Sequence, residues 1–206
     1  DQQTYQQPPA IMRELLLAPT TPTVNLDSKG EWMLIMDRSS YPTIAELAEP
    51  ELRIAGLRIN PENFSSSRIG SIIKITLRNI LTKTDYNIQG LPDDLHAINF
   101  QWSPDETRFA FMHIGNNRVD LYVVNIAARS AQKINTAPLN AIPAFYAWVG
   151  NNNLVYKTVP ANIKPFPGKM PAPAGPVVQE SLGKQGAART YQDLIKSPYD
   201  EELFAY

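Results

Sequence analysis

Phe100-Gln101-Trp102-Ser103-Pro104-Asp105-Glu106-Thr107-Arg108-Phe109-Ala110-Phe111-Met112 reads as strand, tight polar turn, strand. Pro104 presets φ for a turn, Asp105 offers an Asx-type hydrogen bond, and the run that follows is apolar. Two other stretches have the same shape: Val24-Asn25-Leu26-Asp27-Ser28-Lys29-Gly30-Glu31-Trp32-Met33-Leu34-Ile35-Met36, and Tyr146-Ala147-Trp148-Val149-Gly150-Asn151-Asn152-Asn153-Leu154-Val155-Tyr156. Trp102 and Trp148 are 46 positions apart, close to the roughly 40–50 residues of a four-stranded propeller blade. Leu26 and Trp102 are 76 apart, and the excess is an insertion over 41–69.

Working outward, the rest of each unit falls into place. Gly70 to Leu77 and Thr82 to Ile88 continue the first unit. Arg118 to Ile126 continues the second with period-two alternation, Val119, Leu121 and Val123 against Asp120, Tyr122 and Val124, followed by a weak outer strand from Ala131 to Asn135. Ahead of them, Ile11, Leu15 and Met12, Leu16 pair at i,i+4, so a short amphipathic helix is expected, started by Pro8-Pro9 and stopped by Pro19 and Pro22. The expected fold is mainly β: a partial β-propeller of about two and a half four-stranded antiparallel blades, with a short N-terminal helix and a helical/loop insertion in the first blade. The boundaries are 1–23 for the N-terminal segment, 24–90 for the first blade with insertion 41–69, 96–136 for the second, and 142–206 for an incomplete third with a Pro-rich loop at 159–187. A blade without its outer strands leaves bare sheet edges, so the chain reads as cut mid-blade from a longer parent, with self-association through those edges as a consequence.

Composition narrows the chemistry. Hydrophobic residues make up 43% of the 206, too many for a disordered chain. A net charge of -1, without a clustered excess of Lys and Arg, gives no nucleic-acid or polybasic membrane footprint. The absence of cysteine excludes disulfides, thiolate zinc sites and cysteine nucleophiles. No apolar run approaches the roughly 20 residues of a membrane span, and no membrane partner is expected. Six of the 18 prolines fall between Pro160 and Pro176, marking one long irregular segment.

The sequence lacks the motifs of a complete catalyst. It has no Gly-x-Ser-x-Gly nucleophile elbow. Its two histidines, His96 and His113, stand 17 positions apart without zinc-ligand spacing. Asp93-Asp94 is too short for a calcium loop, and no glycine-rich phosphate loop is present, so no metal or cofactor is expected. His96, after Pro92-Asp93-Asp94-Leu95, reads as a surface-loop histidine, His113 ends a strand, and Asp200-Glu201-Glu202 reads as a solvated turn. Trp32, Trp102 and Trp148 recur at related points and are expected to pack between blades rather than form an aromatic binding floor.

Several stretches together resemble a known family. Tyr5…Pro8-Pro9…Ile11 with Ala18-Pro19, then Ala45-Glu46-Leu47-Ala48-Glu49-Pro50-Glu51 and Ile54-Ala55-Gly56-Leu57-Arg58-Ile59, resemble the start of glutamyl endopeptidase-like members of the prolyl oligopeptidase family. The tail matches best: Gly175-Pro176-Val177-Val178-Gln179-Glu180-Ser181, Arg189-Thr190-Tyr191-Gln192-Asp193-Leu194 and Tyr199-Asp200-Glu201. The resemblance implies an N-terminal propeller that gates and positions peptide substrates for a separate C-terminal α/β-hydrolase domain bearing a Ser-Asp-His triad. It implies cleavage after glutamate and a periplasmic or secreted bacterial protein whose signal peptide has been removed. On that reading the parent is a serine peptidase and this portion carries no catalytic residue. The alternative is a stand-alone propeller-like module that binds proteins or peptides without cleaving them.

The insertion is the best functional candidate. An enzyme specific for glutamate wants a guanidinium fork for the carboxylate, which Arg53, Arg58 and Arg68 offer. Glu49 and Glu51 beside them are candidates as well, since in related dipeptidyl peptidases a propeller insertion presents glutamates to the substrate's amino terminus. The plainer reading of the same residues is a solvated clip that packs this blade on the hydrolase domain.

Overall fold

A computed structural model of the chain describes residues 7–168, 195 and 197–206. The described fold is mainly β, with antiparallel sheets and three short helices among the described residues. A first four-stranded meander comprises β1 (Thr23–Leu26), β2 (Trp32–Arg38), β6 (Ile72–Asn79) and β7 (Thr84–Tyr86). A second comprises β8 (Ala97–Trp102), β9 (Arg108–Ile114), β10 (Val119–Asn125) and β11 (Ser130–Lys133). One residue pair, Ile72 with Ala97, joins the two into an eight-stranded sheet. A separate antiparallel pair, β12 (Tyr146–Val149) and β13 (Asn153–Tyr156), begins a third unit. All three strand–turn–strand stretches read from the sequence are therefore hairpins.

The turns show why the register repeats. In the first, Asp27 Oδ1 accepts from the N–H of Glu31 at 2.9 Å and of Trp32 at 3.0 Å. In the second, the Ser103 hydroxyl occupies the same place, accepting from Arg108 N–H at 3.1 Å, while Asp105 Oδ1 accepts from the Ser103 and Thr107 hydroxyls. Both turns need a left-handed residue three places on, Gly30 at φ 69° and Glu106 at φ 58°. Asp27 thus corresponds to Ser103, Asn25 to Gln101 and Leu26 to Trp102. Trp32 is a correction to the sequence reading: it opens the second strand of its hairpin, whereas Trp102 and Trp148 lie on the first strand of theirs.

Alternation along β9 builds two cores. Phe109 and Phe111 point one way, onto Leu34, Met36, Ile75 and Leu77 of the first unit. Ala110 and Met112 point the other, onto Leu139, Ala141 and Tyr146 at the start of the third. A strand buried on both faces reads as an apolar run, which is the pattern after Arg108. Phe111 stacks on Tyr122 at 5.5 Å between centroids and 7° between planes. Trp102 Nε1–H donates back to Asn25 Oδ1 at 2.9 Å, and Trp148 Nε1–H donates back to the Gln101 carbonyl at 3.3 Å. Between Ile98 and Gln101 the β8–β9 ladder slips, and Asn99 takes φ 56°. The buried Tyr146 hydroxyl closes that bulge, lying 2.5 Å from the Asn99 carbonyl and 2.7 Å from the Ala110 carbonyl. Burial pushes its phenol well above the usual tyrosine value.

Three sequence expectations change. The insertion holds more than helix and loop: after α2 (Ile44–Ala48) it forms a small antiparallel sheet of β3 (Leu52–Ile54), β4 (Leu57–Asn60) and β5 (Ser65–Ser66). Asp200-Glu201-Glu202 is not a turn but part of α3 (Pro198–Ala205), capped reciprocally by Ser197 and Asp200, with Pro198 at its start. The outer strand of the second unit ends at Lys133, because the Asn135 side chain turns inward to accept from Leu121 N–H at 2.7 Å. The expected helix α1 (Ala10–Leu16) forms and buries none of its residues. The tail stretches 175–181 and 189–194 that carry the family resemblance lie outside the described residues, as does the Pro-rich loop beyond 168.

Candidate functional site

The ends of β2, β6 and β9 come together where the insertion leaves and rejoins the sheet. Beneath α2 they enclose a cleft of about 470 Å³, within the size range of small-ligand pockets. Arg38, Glu46, Glu49, Arg68, Ser71 and His96 bring its chemistry.

Each wall has a local cause. Thr43 caps α2 reciprocally: its hydroxyl accepts from Glu46 N–H at 3.2 Å, and Glu46 Oε2 accepts from Thr43 N–H at 2.5 Å. Those bonds hold Glu46 below the usual carboxylate range, with His96 a lesser cause. Asn63, fully buried, donates to the Gly115 carbonyl at 3.1 Å and accepts from the N–H and hydroxyl of Ser65. Ala141 N–H donates to the Phe64 carbonyl at 2.9 Å, so the insertion touches all three units.

His96 lines the cleft. Its Nδ1 lies 3.0 Å from the Ser71 hydroxyl and 3.9 Å from Glu46 Oε1, and its backbone N–H donates to His113 Nδ1 at 3.2 Å. A catalytic triad needs serine and carboxylate on opposite ring nitrogens. Here both converge on Nδ1, so Ser71 and Glu46 orient the ring and do not form a relay. His113 is buried against the edge of Tyr122, with Nε2 3.9 Å from Asp94. Desolvation, chiefly, pushes it below the ordinary histidine value.

The five residues singled out in the sequence divide. Arg68 and Glu49 line the cleft, and Glu49 Oε2 also accepts from Asn60 Nδ2 at 2.9 Å. Arg53, Arg58 and Glu51 lie on or beside the β3–β4 hairpin, away from its lining. Arg53 and Arg58 are direct cross-strand partners. Glu51 offsets that crowding of like charge, accepting from Arg53 Nε at 2.6 Å and from the Ser67 hydroxyl at 2.7 Å, with Arg68 Nε 3.5 Å away. These contacts, Ser67 first, lower the Glu51 pKa. Sequence reasoning missed Arg38, Glu46, Ser71 and His96 as neighbours. Thr43-x-x-Glu46 was a legible capping box, but nothing local announces that Ser71 meets His96.

No protein-family model matches the chain. It is 27% identical over 216 aligned positions to a probable chloroplastic glutamyl endopeptidase of Oryza sativa subsp. japonica, covering 98% of this chain and 23% of that protein. It is 30% identical over 216 positions to a probable chloroplastic glutamyl endopeptidase of Arabidopsis thaliana, covering 98% of this chain and 22% of the relative. The likeness ties the chain to peptidases, and the chain spans less than a quarter of the length of these relatives.

Proposed function

We propose that this chain is a β-propeller portion of a serine peptidase, and that it gates and positions peptides for a hydrolase domain elsewhere in the parent. The observation that carries the reading is the likeness to proteins named glutamyl endopeptidase, which runs along 98% of the chain yet takes up only 22–23% of theirs. The repeated four-strand units support the propeller reading, and the charged cleft supports the reading of a peptide contact. Arg38 and Arg68 bring cations to it, Glu46 and Glu49 bring carboxylates, and the Ser71 hydroxyl lies 3.0 Å from His96 Nδ1. Such a mixed lining takes a short charged peptide segment rather than an apolar ligand. On this reading, cutting belongs to the parent's hydrolase domain.

The test is a fluorescent glutamyl peptide added to the purified chain. The peptide binds without being cleaved, and Arg68→Ala weakens binding by roughly tenfold or more, the worth of one charge-assisted contact. Cleavage by the chain alone, lost in Ser71→Ala, overturns the reading, as does binding that Arg68→Ala leaves unchanged.

A further inference from the structure

Glu51 lies away from the cleft lining, yet it is the better-held member of its pair with Arg68. Its side chain is 5% exposed, against 43% for Arg68. One carboxylate oxygen, Oε1, accepts from Arg53 Nε at 2.6 Å on the β3–β4 hairpin. The other, Oε2, accepts from the Ser67 hydroxyl at 2.7 Å and lies 3.5 Å from Arg68 Nε. The carboxylate thus joins the hairpin to the segment that carries Arg68. The backbone fastens the same segment, with Ser67 N–H donating to the Arg58 carbonyl at 2.9 Å.

Arg68 is the part that needs holding. Its backbone is left-handed at φ 55°, uncommon for a residue with a side chain. A long, part-exposed side chain samples many rotamers, and ordering it when a ligand arrives costs affinity. An anchor already in place lowers that cost. The ion pair with Glu51 is made through Nε, on one edge of the planar guanidinium. The terminal Nη atoms make no hydrogen bond among the described residues, and Arg68 lines the cleft. Two such nitrogens match the two oxygens of a carboxylate.

We propose that Glu51 is a positioning residue, holding the Arg68 guanidinium by Nε at the cleft wall so that its terminal nitrogens take a carboxylate of the bound peptide. The inference rests on the peptide reading of the cleft. It moves Glu51 from ligand contact to support of the residue that makes the contact.

A double-mutant cycle with the fluorescent glutamyl peptide tests it. Glu51→Gln keeps an oxygen for the Ser67 and Arg53 donors, and circular dichroism confirms that the variants fold. Glu51→Gln weakens binding by about threefold to tenfold. In the Arg68→Ala background the same change does nothing further. An equal loss in both backgrounds, no loss, or tighter binding overturns the proposal. The dependence on Glu51 also disappears when the peptide's carboxylate is removed, either by glutamine for glutamate or by an amidated carboxyl terminus, and the effective change identifies the source. Dependence that survives both changes overturns the proposal. The isotope-labelled chain without peptide gives a second readout, the Arg68 Nε–H resonance, assigned by its loss in Arg68→Ala. Glu51→Gln moves it to the position of a solvated arginine. A resonance that stays in place overturns the proposal whether or not the peptide binds. A peptide that fails to bind the unaltered chain, with the resonance moving, overturns the peptide reading instead and supports the Glu51 anchor.

Discussion

The second strand unit and the insertion at 41–69 are held by opposite means. The unit's centre is Phe109, Ala110, Phe111, Met112, Val119 and Leu121, none with measurable exposure. The insertion's buried residues are Ile54, Asn60, Asn63 and Ser65. One region is stabilised by apolar area, which is non-directional. The other is specified by amide and hydroxyl groups that must each find a partner. Among the described residues every buried side-chain nitrogen and oxygen finds one. The difference teaches that the cleft is shaped by directional bonds anchored on a sheet held by apolar burial.

Three substitutions break or sharpen that contrast. Phe111→Ala removes a ring packed among Phe100, Phe109 and Tyr122. Its cost is about 3–5 kcal/mol, read from denaturant unfolding with both cores lost together; a cost below about 1 kcal/mol would mean that the two faces of β9 are not the stabilising layer. Asn63→Ala orphans the Gly115 carbonyl and the Ser65 donors and costs about 1–3 kcal/mol. Hydrogen exchange is to rise across the insertion while β8–β10 stays protected. Uniform loss of protection would show that sheet and insertion unfold as one. The smallest effect concerns His113, whose Nδ1 accepts the backbone N–H of the cleft residue His96. Its folded pKa lies below the ordinary 6.5, chiefly through desolvation, with His96 also lowering it and Asp94 and Asp120 opposing. Stability from the neutral ring is therefore fully present above pH 6.5 and is lost as pH falls through the lowered value. Protonation also takes away the Nδ1 lone pair that accepts the His96 N–H. His113→Gln removes this component from the pH dependence of the unfolding midpoint, and an unchanged profile would exclude the mechanism.

What could be read from the sequence follows the same division. Period-two alternation and the Ser103-Pro104-Asp105 turn gave the hairpins, because burial of a strand face leaves its mark in consecutive residues. The β3–β4–β5 sheet left none: its strands are two to four residues long, and their inward positions include Asn60 and Ser65. Position-by-position polarity therefore reads as loop. Glu49 and Arg68, which line the cleft, were legible as candidates only because they lie in a charged insertion. Ser71 and His96 are 25 positions apart, and their meeting depends on the Ile72–Ala97 register, which no local pattern encodes. The acidic tail was misread because Ser197 and Asp200 form a capping box that charge counting overlooks.

The Tyr146 hydroxyl bears on the order in which the chain is made. Translation delivers residues from the amino terminus, and domains begin to fold as they emerge from the ribosome. The bulge at Asn99 belongs to the second unit, but the side chain that satisfies its carbonyl is encoded 47 residues later. A chain without Tyr146 lacks the hydroxyl that meets the Asn99 carbonyl at the bulge. The second unit is thus closed by a residue of the third, and the two are coupled rather than separate modules.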